Sequence, residues 1–297
     1  MWTAEYPDTP EDPSLIRHWY ADGDEVWARF LAYAGEQPVG FTVAHHPPWE
    51  LADDGYVWIE TGIVPEHRTP VNLDLLYAFG KERAKESGGR VGIAEVRADD
   101  PIHLAVVADR GYQEDRRQRF WELDLVAARK RLEELATVSR QRMVEQGIVV
   151  TTLAADPHPD KYRQTYAMSS EAELDVPSTK TMVPPSFERV QEWLDSPAVH
   201  QDRFWIARAG DEVTGLSTLE YPVERGIVGT AWTAVGRDHR GRGIARALKL
   251  ATLIQAIELG VDRVRTDNDS QNAPILHLNE ELGYRIVLEV LSLNRQL

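Results

Sequence analysis

The sequence predicts a mixed α/β protein in which two related units follow each other along the chain. The chain has 297 residues, about twice the usual length of one domain, and 42% of them are hydrophobic, which is enough to bury two cores. Several residues also recur at a constant offset of 172 positions. The recurring pairs are Thr61 and Thr233, His67 and His239, Arg68 and Arg240, Gly88 and Gly260, Gly111 and Gly283, and Tyr112 and Tyr284. A single offset held over about fifty residues indicates a duplicated unit.

The offset also predicts where each unit begins and ends. Because Leu125 corresponds to Leu297, we expect a first unit at residues 1–125 and a second at 148–297. The segment between them, 126–147, is rich in good helix formers and ends in a glycine, which predicts an exposed linking helix. The start of the second unit has no equivalent in the first. The first unit should therefore lack a front strand and a first helix.

Within the second unit, strands and helices alternate as in a mixed, mostly antiparallel sheet flanked by helices. Two alternating segments around a Gly-Asp turn predict an antiparallel hairpin, and the first unit has a similar turn at an offset of 175. Apolar residues at helical spacing from Gly243 to Leu259 predict a long helix that ends at Gly260. The other expected strands are 148–153, the segment before Gly236, 263–266 and 285–293, and the other expected helices are 156–169, 186–194 and 273–282.

The most informative segment, residues 233–246, combines a strand, a glycine-rich basic loop and the start of a helix. Gly241 and Gly243 have no side chain, so backbone N–H groups can approach a phosphate at the positive end of the helix. The net charge of the chain is -15, yet cations cluster at this turn. This local reversal of sign predicts a polyanionic ligand. The cations are Arg237, Arg240, Arg242, Arg246 and Lys249.

This loop resembles the pyrophosphate loop of the GNAT acetyltransferase superfamily. Residues 240–245, Arg-x-x-Gly-x-Ala, fit the family's Arg/Gln-x-x-Gly-x-Gly/Ala pattern, and Asn272 and the Leu-Gly-Tyr at 282–284 follow at the family's spacing. The resemblance implies two tandem GNAT-like domains, the second of which uses acetyl-CoA as cosubstrate. A dinucleotide-binding fold is the weaker alternative, because Arg246 stands where GxGxxG requires its third glycine. The tandem layout also resembles that of mycothiol synthases, although no residue set points to their substrate.

The same resemblance implies roles for individual residues. The backbone of Thr233, Ala234 and Val235 would pair with the pantetheine arm and polarise the acyl carbonyl. Asn268 and Asn272 would lie beside that arm. The residues that would hold the pyrophosphate are Arg240, Gly241, Arg242, Gly243, Ile244, Ala245 and Arg246.

The first unit has lost the features of this loop. Both glycines are absent from its segment 67–74, where Pro70 removes an N–H donor, Val71 adds β-branched bulk and Asp74 adds negative charge. We therefore expect a degenerate unit that does not bind CoA and instead serves packing, stability or the shape of the substrate cleft. A second active site is the alternative.

Direct attack of an amine on a thioester needs an oriented carbonyl, a route for the ammonium proton and an acid for the departing thiolate. Many family members use a strand glutamate as base, but its position falls near Gly229 in this chain, which therefore lacks it. Glu220 is then the candidate base, with Thr230 or a carboxylate among 171, 173 and 175 as alternatives. The family's tyrosine acid falls at Asn279, which could hydrogen-bond the departing thiolate. An acidic run in the family's acceptor region favours a cationic amine. Its carboxylates are Glu171, Glu173 and Asp175.

The composition narrows the class of function further. The chain has no cysteine, which excludes disulfides, thiolate metal sites and a cysteine nucleophile, and no set of metal ligands stands out. The negative net charge argues against nucleic-acid binding, and the absence of a signal peptide or membrane span predicts a cytoplasmic location. We expect an N-acetyltransferase that acts on a primary amine of a small molecule, with its oligomeric state left open. A non-catalytic acyl-CoA-binding sensor or scaffold is the alternative.

Overall fold

A computed structural model of the chain describes residue 8, residue 10, and residues 12–21, 26–180 and 182–297. It contains one 11-stranded sheet flanked by eight helices in these ranges. The strands are β1 (Val26–Ala34), β2 (Gln37–His46), β3 (Tyr56–Ile63), β4 (Val91–Arg97), β5 (Gln113–Asp124), β6 (Ile148–Thr152), β7 (Trp205–Ala209), β8 (Glu212–Glu220), β9 (Gly229–Val235), β10 (Arg263–Asp269) and β11 (Arg285–Gln296). The helices are α1 (Pro13–Ala21), α2 (Pro70–Glu86), α3 (Pro101–Asp109), α4 (Leu125–Glu145), α5 (Lys161–Glu173), α6 (Phe187–Leu194), α7 (Ile244–Glu258) and α8 (Ala273–Leu282).

The mixed α/β class and the tandem arrangement predicted from the sequence are confirmed. Elements α1 to α3 and β1 to β5 recur in the same order as α6 to α8 and β7 to β11. The match is closest at the ends of the two halves, where β5 and β11 have the same length and lie 172 positions apart. In its described ranges, the first half has no counterpart of β6 or α5. None of the helices in those ranges is long and apolar enough to cross a bilayer.

The two halves exchange their last strands. The strand order is β1-β2-β3-β4-β11-β5-β10-β9-β8-β7-β6, so β11 pairs with β4 of the first half and β5 pairs with β10 of the second. The two exchanged strands also pair with each other, antiparallel, at the centre of the sheet. Gln118 lies opposite Val290 there, and these residues are 172 positions apart. An approximate twofold axis therefore passes between them. Because the sheet is continuous, the limits 1–125 and 148–297 stay predictions.

Burial of apolar side chains explains why the exchanged strands are held in place. Leu291 and Leu293 of β11 are buried in the core of the first half, beside Tyr77 and Val107. Trp121 and Leu123 of β5 are buried in the core of the second half. Each such side chain stabilises the fold by about 1.5 to 3 kcal/mol relative to its exposed state. Each half consequently depends on the other to complete its core.

The linking helix α4 is present, but the expectation that it would be exposed is wrong for one of its faces. Leu125, Leu132, Ala136 and Met143 recur at helical spacing and are buried. They pack in the clusters that include apolar residues of α7. Asp124 caps the helix by accepting a hydrogen bond from the backbone N–H of Ala127 over 2.8 Å. The sequence contains this apolar spacing, but the many charged residues between these positions make the helix look polar.

Lys249 is the largest exception to the expected placement of charged residues. The sequence assigned it to the cationic loop, but its side chain faces the core of the second half and is only 2% exposed. Its ammonium group lies 5.1 Å from the ring centre of Tyr284 and has no hydrogen-bond partner among the described residues. Burial lowers the pKa of Lys249 to about 8. This lysine therefore destabilises the fold while it is charged.

Separate fragments test the exchange of strands. We expect residues 1–125 and residues 126–297, expressed alone, to aggregate or remain without a cooperative unfolding transition, because each lacks a central strand and exposes a long sheet edge. Coexpression should restore one complex whose unfolding transition resembles that of the intact chain. Circular dichroism and size-exclusion chromatography measure both outcomes. A fragment 126–297 that folds alone with the stability of the intact chain would contradict the dependence described above.

Replacing the buried lysine should stabilise the protein. At pH 7 we expect Lys249→Met to raise the free energy of unfolding by on the order of 2 to 3 kcal/mol, because it removes a buried charge and keeps the volume. The advantage should shrink between pH 8 and 10.5, since the wild type loses its charge in the folded state first. Urea unfolding at several pH values measures this. Lys130→Met, on an exposed position of α4, is the matched control and should change little.

Candidate active site

The predicted cofactor strand borders an opening in the sheet. Strands β9 and β10 are parallel, and their ladder consists of the single pair formed by Gly229 and Arg265. On its other side β9 stays paired with β8, where Thr233 lies opposite Ser217. The edge of residues 233–235 that faces β10 therefore has no strand partner. An extended chain of amide groups could pair with this edge.

The loop after β9 has the backbone geometry expected of an anion site. Gly241 and Gly243 have φ values of 75° and 88°, which favour glycine, and α7 begins directly after them at Ile244. No side chain caps this helix, so its first N–H groups are available to a ligand. A Cβ atom on Gly241 would meet no other atom within 4 Å, whereas one on Gly243 would lie 3.3 Å from Cζ of Arg142. The open side of the loop is therefore above Gly241.

Two of the predicted acceptor carboxylates contact arginines of this loop. Asp175 forms ion pairs of 2.7 Å with both Arg237 and Arg240, and Glu171 lies 3.8 Å from Arg237. The two guanidinium groups hold the pKa of Asp175 well below its usual range. Glu173 is half-buried, and burial raises its pKa. The structure thus separates the three carboxylates, although their proposed role in acceptor binding remains a prediction.

The remaining cations of the loop are also largely engaged. Arg246 forms an ion pair with Glu281, so its charge is neutralised. Arg242 bonds through Nε to Oε1 of Gln146 over 3.0 Å and has no ion pair among the described residues. Together with the burial of Lys249, these contacts make the positive charge at the loop smaller than the sequence suggested. The helix N-terminus therefore carries more of the attraction for an anion than expected.

Of the two asparagines predicted beside the pantetheine arm, Asn268 is hydrogen-bonded to Asn279, the residue predicted to meet the thiolate, and Asn272 directly precedes α8. Asn279 is fully buried in α8 and donates from Nδ2 to Oδ1 of Asn268 on β10 over 2.7 Å. Asn272 is the residue that precedes α8, and its side chain does not cap the helix. The Asn268–Asn279 bond fixes α8 against the strand that borders the opening.

Glu220, the base suggested by the sequence, lies at the end of β8 opposite Gly229. Its carboxylate accepts a hydrogen bond from Nε1 of Trp193 over 3.2 Å. The side chain does not line the large cavity described next. Its role as base remains a prediction.

A cavity of about 960 Å³ lies between the two halves. It reaches the point where β9 and β10 separate, because Gly229, Thr230, Thr266 and Asp267 are among its lining residues. Both exchanged strands also contribute to it. The apolar part of the lining consists mainly of Phe41, Val43, Phe120, Ile227, Leu288 and Val290.

Sequence reasoning missed the carboxylates of this cavity. Glu95 on β4 and Asp267 on β10 occupy equivalent positions in the repeat, 172 residues apart, and Glu60 of β3 joins them. The repeat offset was the signal that could have revealed them, but a search for identical residues passes over a Glu and Asp pair. The cavity thus holds one carboxylate from the same position in each half, together with a third.

These carboxylates have altered proton affinities. The side chains of Glu95 and Asp267 are exposed to the water of the cavity, but the walls around them still reduce the solvation of their charged forms. Burial and the neighbouring Glu60 raise the pKa of Glu95, and burial raises the pKa of Asp267. Glu60 lies 3.0 Å from Nε2 of His45. The cavity therefore contains two carboxylates with raised pKa values and without an ion pair among the described residues, which suits a general base or a site for a cation.

Comparison with known proteins finds a family match within the second half. Residues 169–284 match the family described as "Acetyltransferase (GNAT) family". A GNAT domain is therefore assigned to residues 169–284. No curated protein matches the chain.

Solved structures of GNAT proteins share the fold over almost the whole chain. A tandem GNAT protein from the clavulanic acid biosynthesis pathway is 18% identical, with a TM-score of 0.74 over 99% of this chain and 92% of its own. A GCN5-related N-acetyltransferase from Sphaerobacter thermophilus is also 18% identical, with a TM-score of 0.69 over 95% of this chain and 84% of its own. At these identities the likeness concerns the fold alone. It supports a tandem arrangement of two GNAT-like halves.

In the first GNAT-like half, the structure fills the position of the anion loop with groups of the chain itself. Thr69 caps α2 by accepting a hydrogen bond from the backbone N–H of Asn72, so this helix N-terminus is occupied. Arg68, the counterpart of Arg240, forms an ion pair with Asp100. Burial opposes ionisation of Asp100, but hydrogen bonds from His103 and the charge of Arg68 prevail and lower its pKa to about 2. These contacts favour the prediction that this half does not bind CoA.

Proposed function

We propose that the chain is an N-acetyltransferase that transfers the acetyl group of acetyl-CoA to a primary amine of a small molecule. The observation that carries this proposal is the opening between β9 and β10. The anion loop with Gly241 follows one of these strands, and the cavity with its carboxylates lies where the strands part. A cofactor bound in the opening could present its acyl group to an acceptor in the cavity.

In this proposal the cofactor binds along β9. Its pyrophosphate would lie over Gly241 and the start of α7, held by the loop of residues 240–246. The pantetheine amides would pair with the open edge of residues 233–235, near Asn268 and Asn272. Backbone N–H groups of Ala234 or Val235 would then polarise the thioester carbonyl and stabilise the charge that develops on its oxygen.

The acceptor would occupy the cavity. Its walls are mostly apolar, and Glu95 and Asp267 form no ion pair among the described residues, although five arginines also line the cavity. A primary amine with an apolar body fits both features, since its ammonium group would meet the carboxylates and its body the apolar walls. Such an acceptor is cationic, as the sequence suggested, although different carboxylates would bind it.

The reaction follows from this placement. A carboxylate removes a proton from the ammonium group, and the free amine attacks the carbonyl carbon to form the new C–N bond. The C–S bond then breaks, and coenzyme A leaves as a thiolate that receives a proton. Asp267 fits the base better than Glu220, because it lines the cavity, belongs to the GNAT domain and has a raised pKa.

The geometry of the loop predicts the effect of a single methyl group on cofactor affinity. We expect Gly241→Ala to weaken acetyl-CoA binding at least tenfold in calorimetric titration, because its Cβ would enter the space proposed for the pyrophosphate. Gly210→Ala is the matched control, since Gly210 also has a positive φ and open space around its Cβ but lies in a hairpin turn. Both variants should lose about 1 kcal/mol of stability. Equal affinities in the two variants would exclude this binding site.

Carboxylate variants test the assignment of the base. We expect Asp267→Asn to lower kcat/KM about 100-fold or more, Glu95→Gln mainly to raise KM, and Glu220→Gln to change activity less than about twofold. With a panel of amines as acceptors, the release of coenzyme A from acetyl-CoA can be followed with a thiol reagent, because the protein itself has no cysteine. In the wild type, kcat/KM should fall on acidification at a pH above the ordinary carboxyl range.

Two outcomes would redirect the proposal. Loss of activity in Glu220→Gln with full activity in Asp267→Asn would return the base to Glu220. Saturable acetyl-CoA binding without turnover of any amine would favour the alternative of an acyl-CoA-binding sensor or scaffold.

A further inference from the structure

Most cations of the anion loop are already paired with carboxylates or buried. Arg237 and Arg240 are paired with Asp175, and Arg246 is paired with Glu281. Lys249 faces the core. Of the five cations near this turn in the sequence, only Arg242 is free of a carboxylate partner and close to the loop surface among the described residues. A ligand with several negative charges therefore needs a cation from elsewhere in the chain.

The linking helix α4 brings such a cation to the loop. Arg142, in the last turn of α4, has its guanidinium Cζ 3.3 Å, and its Nε and Nη1 3.4 Å, from the point where Gly243 would carry a Cβ. Gly243 thus lets this guanidinium lie directly against the first turn of α7. Gln146, one turn further, bonds to Arg242 twice, through its amide N–H to the carbonyl and through its oxygen to the guanidinium. These contacts hold the end of α4 beside the loop.

Arg142 is exposed and has no ion pair among the described residues. An arginine in the last turn of a helix also interacts favourably with the helix dipole, which would explain its charge but not its place against Gly243. We propose that Arg142 of the linking helix binds a phosphate group of acetyl-CoA. This inference rests on the proposed function, because it assigns a further residue to the cofactor site. The linking helix then takes part in cofactor binding as well as joining the two halves.

Calorimetric titration of the full-length protein tests this assignment. We expect Arg142→Ala to weaken acetyl-CoA binding roughly 5- to 30-fold, through loss of a charge-assisted hydrogen bond. Arg140→Ala is the matched control, since Arg140 is exposed on α4 two positions away and so points to another side of the helix. It removes the same charge and should bind acetyl-CoA within twofold of the wild type. Thermal unfolding checks that both variants remain folded.

Dephospho-CoA, which lacks the 3′-phosphate, identifies the phosphate concerned. If the loss in Arg142→Ala disappears with dephospho-CoA, Arg142 binds the 3′-phosphate, and if it persists, Arg142 binds the pyrophosphate. Equal affinity of the wild type and Arg142→Ala, or equal losses in Arg142→Ala and Arg140→Ala, would overturn the inference while leaving the proposed function intact. A wild type that does not bind acetyl-CoA would overturn both.

Discussion

The pairing of β5 with β11 at the centre of the sheet is the contact on which both halves of the structure depend. Each of these strands completes both the sheet and the apolar core of the half to which it does not belong in sequence. Arg117 and Glu289, which occupy equivalent positions in the repeat, also form an ion pair across this contact over 2.9 Å. The duplication therefore produced an intertwined protein in which neither copy has a complete core by itself.

The candidate site follows from the same arrangement. Exchange of the last strands places β4 and β10 on either side of the central pair, so that Glu95 and Asp267 both line one cavity, with Leu288 and Val290 of β11 between them. The first half has lost the geometry of an anion loop, yet it supplies one wall of this cavity. A degenerate copy can thus be retained because its side chains shape the space in which the intact copy would act.

Much of the fold could be predicted from the sequence, because the repeat and the glycine-rich loop depend on local pattern. The exchange of the last strands could not be predicted, because the repeat offset of 172 residues is the same whether Leu291 packs in its own half or in the other half. The charge of the loop was overestimated for a similar reason. Asp175 and Glu281 lie far along the chain from the arginines they neutralise, and only the folded structure brings them together. Lys249 follows the helical spacing of its apolar neighbours, which outweighs its charge.

The position of β11 in the sheet has a consequence for the order of folding during synthesis. The ribosome releases β4 and β5 long before β11 exists, and the residue pairs that join β4 to β11 are separated by about 200 positions in the sequence. Until β11 emerges, β4 presents an unpaired edge and the apolar surface that Leu293 will cover remains accessible to water. The nascent first half therefore exposes surface that chaperones can bind, and it completes its folding only after the second half has been translated.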